Sequence, residues 1–372
     1  MKDVFDPTSV DTALERGIER LLAQNQGGRW RGFPTLAGES DVWVTGFILA
    51  HISGLARRRR KVRDAQAFLL NASRQSGGWS YGGEVPPDAD STAWCLMALS
   101  GVKGMSDSRR RTNESFLWSH LTNGGVATYK LDSGISKYIQ AAPNHSIAGW
   151  TSAHPDVTAA AILADPHGER VEEFLAGLIA RQTGAGFFNS YWWRGPHYTT
   201  TLTLRALRRC KRHLPAASAR LILRALVREQ LPDGGFGLGA SMRLDSLTTA
   251  LALESFTHLS YLGGLRNRRA AGNALLQTQG SDGRWGGDFV MRIPAPDVID
   301  PQHVNLWKRE GGGGNCYIPD RDGLFATAIA CFALDCWRQA EISDGEINDS
   351  IIMHPQKDIR KDEALEIQVG VI

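Results

Sequence analysis

Helical segments of two kinds alternate along the chain. Segments such as 13–23 and 171–180 carry apolar residues at helical spacing on one face, which is typical of helices that cover a core from outside. Segments such as 247–256 and 324–334 are apolar almost throughout, which is typical of helices that are buried on all sides. The alternation predicts an outer layer and an inner layer of helices.

A glycine-rich loop joins each outer segment to the inner segment that follows it. The loop usually carries an aromatic residue and occurs at 26–30, 75–79, 184–188, 233–237 and 281–285, with a weaker copy at 123–127. Each loop precedes an apolar helix with Thr beside Ala, Gly or Thr, at 44–46, 91–93, 157–159, 199–201, 248–250 and 326–328. The loops recur at a spacing of roughly 50 residues, which is typical of arrays of helix pairs.

Six such units predict an all-α fold of about twelve helices, which we expect to close into an α/α toroid with an inner and an outer ring. An open superhelix of the same units is the alternative. We favour the closed form because the units use nearly all of residues 10–340. The predicted organisation is therefore one domain over residues 1–340 and a polar C-terminal tail over residues 341–372.

Composition narrows the class of protein. Of the 372 residues, 42% are hydrophobic and 22% are charged, which excludes wholesale disorder and a collagen-like structure. The net charge of +3 gives no reason to expect a nucleic-acid partner. Basic clusters at 57–61, 109–111, 208–213 and 266–269 follow inner helices and should lie together at one end of the toroid. They either solvate the helix C-termini or form a face that docks a membrane or a partner.

The cysteines and the termini bear on the compartment. The five cysteines are an odd number without a C-x-x-C pair, which favours free thiols in a reducing environment. The first residues lack the basic and apolar regions of a signal peptide, and no apolar run reaches the ~18 residues of a membrane span. We expect a cytoplasmic protein that is able to associate with a membrane surface. The sequence does not indicate its oligomeric state.

Acidic residues at the starts of the inner helices are the candidate chemistry. Four positions before the repeated Thr, units one to five carry Asp41, Asp88, His154, His197 and Asp245. Short polar side chains at a helix start cap the helix, so most of these are predicted to be structural. The second unit carries a further acid in its first turn, Asp90.

Asp90 stands on an apolar inner helix that faces the middle of the toroid. In one interpretation it is a first-turn carboxylate that favours the helix dipole. In the other, burial and the neighbouring Asp88 keep it protonated, because a carboxylate is costly to desolvate. A neutral carboxylic acid in an apolar, aromatic chamber is suited to protonate a weak base such as an alkene or an epoxide.

The Gln and Gly-x-x-Trp repeats, together with Asp-x-Asp-x-Thr-Ala at 88–93, resemble the squalene–hopene cyclase and class II terpene cyclase superfamily. The resemblance implies that Asp90 is the proton donor and that His154, from the next inner helix, orients it. The family's fourth acid is replaced by Ser91, which makes 90–92 similar to the Asp-Cys-Thr of the epoxide-opening oxidosqualene cyclases. His154 is alternatively the cap of its own helix.

The length of the chain leaves room for one toroid, so it is similar to the compact single-domain cyclases of bacterial terpenoid and meroterpenoid pathways. The metal motif Asp-Asp-x-x-Asp is absent from the sequence. We therefore expect no metal and no cofactor, with Mg²⁺ useful only if the substrate is a diphosphate. The expected partner is a small-molecule isoprenoid.

A carbocation needs the faces of aromatic rings, each contributing about 0.5–2 kcal/mol. Aromatic residues lie at the starts of inner helices and in their loops, and each is a candidate for substrate contact or for core packing. They are Trp43, Trp94, Trp150, Tyr191, Trp192, Trp193, Tyr198, Tyr317 and Phe325. The run 191–193 is the first choice for the chamber wall.

Three other functions fit a helical toroid. A zinc protein prenyltransferase subunit needs a convergent Asp, Cys and His, yet Asp245 is followed by Ser246 and Leu247. A glycoside-processing (α/α)₆ enzyme needs two opposed carboxylates in a polar cleft, and these inner helices are apolar. A non-catalytic repeat scaffold explains the units but not Asp90. The sequence therefore favours protonation-initiated cyclisation of a linear isoprenoid or a prenylated aromatic substrate.

Overall fold

Twelve α-helices alternate in the computed structural model, which describes residues 5–139, 145–239, 241–309 and 314–353. The first six are α1 (Pro7–Gln24), α2 (Val42–Ala56), α3 (Arg60–Ala72), α4 (Ala89–Ala98), α5 (Asp107–Trp118) and α6 (Pro155–Ala164). The others are α7 (Val171–Ala180), α8 (His197–Arg209), α9 (Ala216–Glu229), α10 (Ser246–His258), α11 (Leu265–Gln277) and α12 (Leu324–Met353). Odd-numbered helices form the outer ring and even-numbered helices the inner ring.

The inner ring is closed. Each even-numbered helix packs against the next one, and α12 packs against α2, so the sixth unit meets the first. The outer helices lean on the inner ones, and α1 packs on α12 across the closure. The predicted all-α toroid of six helix pairs is confirmed, and the open superhelix is not.

The repeated Thr ties each inner helix to the loop before it. In all six units its hydroxyl accepts the backbone N–H of a loop residue at 2.9–3.1 Å. The accepting residues are Thr45, Thr92, Thr158, Thr200, Thr249 and Thr327. In the fourth unit this residue is Thr200, so His197 is not at the capping position that the sequence alignment gave it.

The loop tryptophans and glutamines explain the rest of the repeat. The indole N–H of Trp79 donates to the carbonyl of Leu69 on its own outer helix, at 2.7 Å. At the end of α9, Gln230 donates both to the loop carbonyl of Gly234 and to Asn267 O on the next outer helix, each at 2.8 Å. Gly234 has φ +89°, and a Cβ there would lie 2.6 Å from the carbonyl oxygen of Ala270, so this close approach requires glycine.

Short β-strands lie at the end of the toroid where the inner helices begin. Three two-stranded hairpins pair β1 (Gly32–Thr35) with β2 (Gly38–Ser40), β3 (Trp79–Ser80) with β4 (Pro87–Asp88) and β5 (Leu121–Thr122) with β6 (Gly125–Val126). Between α11 and α12 a long connection contributes β7 (Met291–Ile293), β8 (Lys308–Arg309) and β9 (Cys316–Ile318). In that sheet β9 is central, antiparallel to β7 and parallel to β8.

Helix α12 runs past position 340, where the sequence places the domain boundary. Glu341 is buried and accepts hydrogen bonds from Arg268, at 2.9 Å, and from Arg269, at 2.8 Å. The first residues of the predicted tail therefore belong to the inner ring. Residues 354–372 lie outside the described residues, and the division into domain and tail stays a prediction. In the described ranges, none of the helices combines the length and the apolar character that crossing a bilayer takes.

Candidate active site

A cavity of about 930 Å³ lies at the end of the toroid where the inner helices begin. Helices α2 and α4, the hairpin β1–β2, residues 128–139 with Trp150, and residues 291–296 and 314–318 contribute to its wall. The lining side chains are largely aromatic and aliphatic, with the carboxyls of Asp88 and Asp90 among them.

Asp90 lies in the first turn of α4 and faces this cavity. Its Oδ2 accepts the indole N–H of Trp43, on the neighbouring helix α2, at 2.8 Å. Burial, and after it the nearby carboxyls of Asp88 and Asp156, raises the pKa of Asp90 well above its ordinary value. This environment therefore favours the protonated form of the carboxyl.

Asp88 caps α4. Its Oδ1 accepts the backbone N–H of Ser91 at 2.8 Å, and its Oδ2 accepts the hydroxyl of Ser91 at 2.7 Å. Burial raises the pKa of Asp88 to about 7. Asp88 and Ser91 thus complete each other's hydrogen bonds beside the acid, which agrees with the capping role expected for position 88.

His154 does not make the hydrogen bond to Asp90 that the sequence predicted. Its Nε2 bonds to the carbonyl of Gly149 and its Nδ1 to the hydroxyl of Thr128, each at 2.8 Å. Burial lowers the pKa of His154 to about 3, so the ring is neutral. With Nε2 donating to the carbonyl, Nδ1 accepts the Thr128 proton. Thr128 in turn accepts the indole N–H of Trp192 at 2.7 Å, so His154 fixes the cavity wall instead of the acid.

Asp156 is a residue that the sequence reasoning missed. It is buried in the first turn of α6, and its Oδ2 accepts the backbone N–H groups of Tyr191, at 3.0 Å, and Trp192, at 2.8 Å. The buried Arg292 donates to the carbonyl of Tyr191 at 3.0 Å. The signal was present as an acid two residues after His154, the same spacing as Asp88 and Asp90.

Three of the predicted aromatic residues line the cavity, namely Trp43, Trp150 and Trp192. The structure adds Tyr81, which stacks on Trp43 with ring centroids 5.6 Å apart, and Tyr129, which stacks on Trp150 at 5.9 Å. Tyr81 and Tyr129 are far from the start of any inner helix in the repeat pattern. Only the folding of the loops over the cavity brings them to the wall.

Four other predicted aromatic residues fill the middle of the ring instead of lining this cavity. Trp193 stacks on Tyr198 at 3.8 Å, and Phe325 stacks on Phe47 at 3.8 Å. Trp94 packs on Phe47 at 4.6 Å. All four side chains are buried and pack as core, and those of Trp94 and Tyr198 lie near Asp90.

Tyr191 and Tyr317 are not in the cavity lining. Tyr191 stacks on His154 at 3.8 Å, and its hydroxyl donates to the carbonyl of Val298 at 2.8 Å, behind the wall. Tyr317 lies on β9 between Cys316 and Ile318, which line the cavity, and alternate side chains of a strand point to opposite faces. The ring of Tyr317 instead stacks on that of Trp307, with centroids 5.0 Å apart. The prediction that Tyr317 lines the chamber is therefore wrong.

A second cavity, which we call the basic bowl, opens at the other end of the inner helices. It measures about 2400 Å³ and is bordered by 204–214 on and after α8, by the ends of α4 and α10, and by 332–344 on α12. Arg205 lies at its wall and pairs with the fully buried Glu254. Its Nε and Nη2 atoms each donate to one carboxylate oxygen of Glu254 at 2.7 Å. Of the described residues, no group of three or more His, Cys, Asp and Glu side chains is placed to hold a metal ion.

Known structures share this architecture. A variant of the type II terpene cyclase MstE from Scytonema is 26% identical, with a TM-score of 0.81 over 90% of this chain and 99% of that chain. A protein from Actinoplanes is 27% identical, with a TM-score of 0.80 over 88% of this chain and 99% of that one. The chain is therefore similar, over nearly its whole length, to a type II terpene cyclase.

A more distant structure shares the fold alone. The ent-copalyl diphosphate synthase of Streptomyces platensis is 15% identical, with a TM-score of 0.55 over 79% of this chain and 50% of that chain. No family model matches the sequence, and no curated protein does. MstE variants have been solved with geranylgeranyl dihydroxybenzoate as the substrate and with merosterolic acid A as the product.

Proposed function

We propose that Asp90 starts the reaction of this class II terpene cyclase by protonating a linear isoprenoid or prenylated aromatic substrate in the cavity. The observation that carries the proposal is the buried carboxyl of Asp90, with its raised pKa, at the wall of a largely apolar cavity. General acids work best when their side chain is protonated at the operating pH. Burial meets that condition for Asp90, because it raises the pKa of the carboxyl.

The step balances without a co-reactant. If the target is a terminal alkene, its π electrons form the new C–H bond with the Asp90 proton and leave a tertiary cation. If the target is an epoxide, the proton goes to the oxygen and a C–O bond breaks. Successive alkenes attack the cation, a final C–H bond loses its proton, and the product is an isomer of the substrate. A Brønsted acid supplies the initiation, so the mechanism needs no cofactor, and Mg²⁺ would serve only a diphosphate headgroup.

The cavity wall supports the cation that this step creates. Trp43, Trp150 and Trp192 present rings to the cavity, and a cation over such a ring gains about 0.5–2 kcal/mol. Asp156 and Arg292 hold the backbone of Trp192, and Thr128 holds its indole N–H. The ring therefore stays in place when charge moves along the substrate.

A prenylated aromatic acid is the substrate class that we favour. The support is the likeness to MstE over nearly the full length of both chains, together with a cavity of about 930 Å³. A substrate of this kind puts an apolar chain in the aromatic part of the cavity.

The test is product analysis by mass spectrometry with wild type, Asp90→Asn and, as a control, Asp245→Asn. Asp245 caps α10 in the same way as Asp88 caps α4, and Asn retains a cap. The panel contains geranylgeranyl and farnesyl chains, their terminal epoxides and prenylated dihydroxybenzoates. We expect a cyclised isomer from wild type and Asp245→Asn and none from Asp90→Asn.

Cyclisation that survives Asp90→Asn would remove Asp90 from the mechanism. Binding of the panel without turnover by wild type would support a lipid-binding scaffold. Which panel member reacts decides between alkene and epoxide initiation.

The localisation that fits this substrate is cytoplasmic with peripheral membrane contact, because isoprenoid chains partition into bilayers. The basic clusters would provide the contact with anionic lipid, since each Lys or Arg near such a surface contributes about 1 kcal/mol. Co-sedimentation with anionic vesicles that is lost at high salt is the expected result. Equal binding to neutral vesicles would contradict it.

A further inference from the structure

The acid has a hydrogen-bond donor that the sequence resemblance did not indicate. The indole N–H of Trp43 reaches Asp90 Oδ2 at 2.8 Å from the adjacent inner helix. Both residues also line the cavity. Trp43 therefore touches the acid through its nitrogen while its ring belongs to the wall.

The neighbours of Trp43 hold its ring in one place. Tyr81 stacks on it with the ring planes 27° apart, and Phe33 meets it edge-on with centroids 5.6 Å apart. Phe325 packs against it at 4.9 Å, and only 4% of the residue is exposed. The N–H thus points at Oδ2 before any substrate binds, which is the preorganisation that makes a donor effective in catalysis.

The N–H of Trp43 matters because the charge on the Asp90 carboxyl changes during proton transfer. When Asp90 loses its proton, negative charge develops on the carboxyl, and a hydrogen bond to an ionised acceptor is roughly twice as strong as one to a neutral acceptor. The N–H of Trp43 therefore gains strength as the proton leaves. Because the N–H donates to Oδ2, this arrangement favours the acidic proton on Oδ1.

We propose that Trp43 is the positioning residue of the proton donor and takes the place that the resemblance gave to His154. It fixes the orientation of the carboxyl, leaves the proton on the free oxygen and stabilises the carboxylate after transfer. The inference rests on the proposed role of Asp90 as the acid. Trp43 thus both stabilises the Asp90 carboxylate through its N–H and contributes its ring to the wall around the cation.

Other ionisable groups face Asp90 and enter its titration. They come from its own helix, from α6, from α8 and from the segment after β6, and they are Asp88, Cys95, Tyr129, Asp156 and Tyr198. None of them is altered in the variants below, so a change in the titration of Asp90 reports the loss of the indole N–H.

The experiment compares Trp43→Phe with Trp150→Phe. The indole N–H of Trp150 donates to the carbonyl of Pro294 at 3.1 Å, so the control removes a cavity-wall N–H that does not touch the acid. We expect Trp43→Phe to lower kcat by about 10²-fold, the usual loss for one preorganised donor, with KM nearly unchanged. Trp150→Phe should change kcat far less.

Infrared difference spectra of the Asp90 carboxylic C=O group, assigned by its loss in Asp90→Asn, measure the titration without turnover. Loss of the N–H should raise the pKa of Asp90, because the donor favours the charged form. If Trp43→Phe folds poorly, benzothienylalanine at position 43 keeps the shape of tryptophan and removes only the N–H. An unchanged titration, or equal losses of kcat in the Trp43 and Trp150 variants, would overturn the assignment.

The two proposals fail in different ways. If Asp90→Asn still cyclises the substrate, the proposed acid is wrong whatever the spectra show. If Asp90→Asn is inactive and the Trp43 variants behave as wild type, the acid stands and Trp43 is wall only.

Discussion

The two ends of the inner ring treat buried carboxyl groups in opposite ways. At the cavity end, burial and neighbouring acids raise the pKa of Asp90 well above its ordinary range. Near the basic bowl, burial opposes ionisation of Glu254 as well, but Arg205 and His258 outweigh it and the pKa of Glu254 falls to about 2. Burial alone keeps a carboxyl protonated, whereas a paired guanidinium makes it a permanent anion. Only the first arrangement leaves a proton to donate.

The largest expected effect on stability comes from breaking the pair near the bowl. Glu254→Gln leaves Arg205 buried without its carboxylate, which should destabilise the fold by about 3–5 kcal/mol in urea unfolding. The double variant Arg205→Met with Glu254→Met should regain most of that loss, because an apolar pair leaves no buried charge. A single variant as stable as wild type would show that the pair is solvated.

At the cavity end, the stability of the fold should depend on pH through a carboxyl that is protonated in the folded state. The pKa of Asp88 is about 7 in the folded state, so folded protein retains a proton that the unfolded chain releases near its ordinary value of 3.8. The stabilisation is complete below that value and is lost as pH rises through about 7, at up to about 1.4 kcal/mol per pH unit. Asp88→Asn keeps a helix cap and removes this titration.

Urea unfolding between about pH 5 and about pH 8 measures the difference. Wild type should lose stability across this range, and the slope should be shallower in Asp88→Asn. Part of the slope should remain, because burial also raises the pKa of Asp320, to about 6. Equal slopes in the two proteins would contradict the value given for Asp88.

The repeats made the fold predictable, because a hydroxyl and a glycine recur at the same places in each unit and an indole follows in three of the six. The same alignment singled out Asp90, the extra acid in the second unit. It did not find Trp43 as the partner of Asp90, because the direction of an indole N–H depends on how α2 and α4 pack. The long connection between α11 and α12 has no counterpart in the other units, so the repeat pattern carried no information on Cys316 or Ile318 in the wall.

A smaller difference in stability should distinguish a threonine whose hydroxyl accepts a hydrogen bond from one whose hydroxyl does not. Thr92→Val removes the acceptor of the Trp79 backbone N–H and should cost about 1–3 kcal/mol, because that buried donor is left unpaired. Thr203 on α8 is equally buried, and its hydroxyl has no hydrogen-bond partner among the described residues. Thr203→Val should be neutral or stabilising. Similar losses of thermal stability in both variants would mean that packing, and not the hydrogen bond, is measured.

The smallest effect should come from the rim of the bowl. Arg212 pairs with Glu172 at 2.7 Å, but both side chains are more than half exposed. Pairs of this kind contribute about 0–1 kcal/mol, so Arg212→Ala should leave the unfolding midpoint nearly unchanged. A loss comparable to that of Glu254→Gln would show that the rim shares the energetics of the buried pair.

The contact between α12 and α2 has a mechanical consequence. An open array of repeats can flex like a spring, because its end units have one neighbour each. In this chain every inner helix packs against two other inner helices. The ring therefore has a fixed circumference, and its close-packed side chains resist widening. The ring sets the width of the chamber. Among the described lining residues, those of the hairpin β1–β2 and of 128–139, 291–296 and 314–318 lie in connecting segments outside the ring. Entry of substrate and exit of product therefore depend on those segments, while the acid and its tryptophan stay on the rigid part.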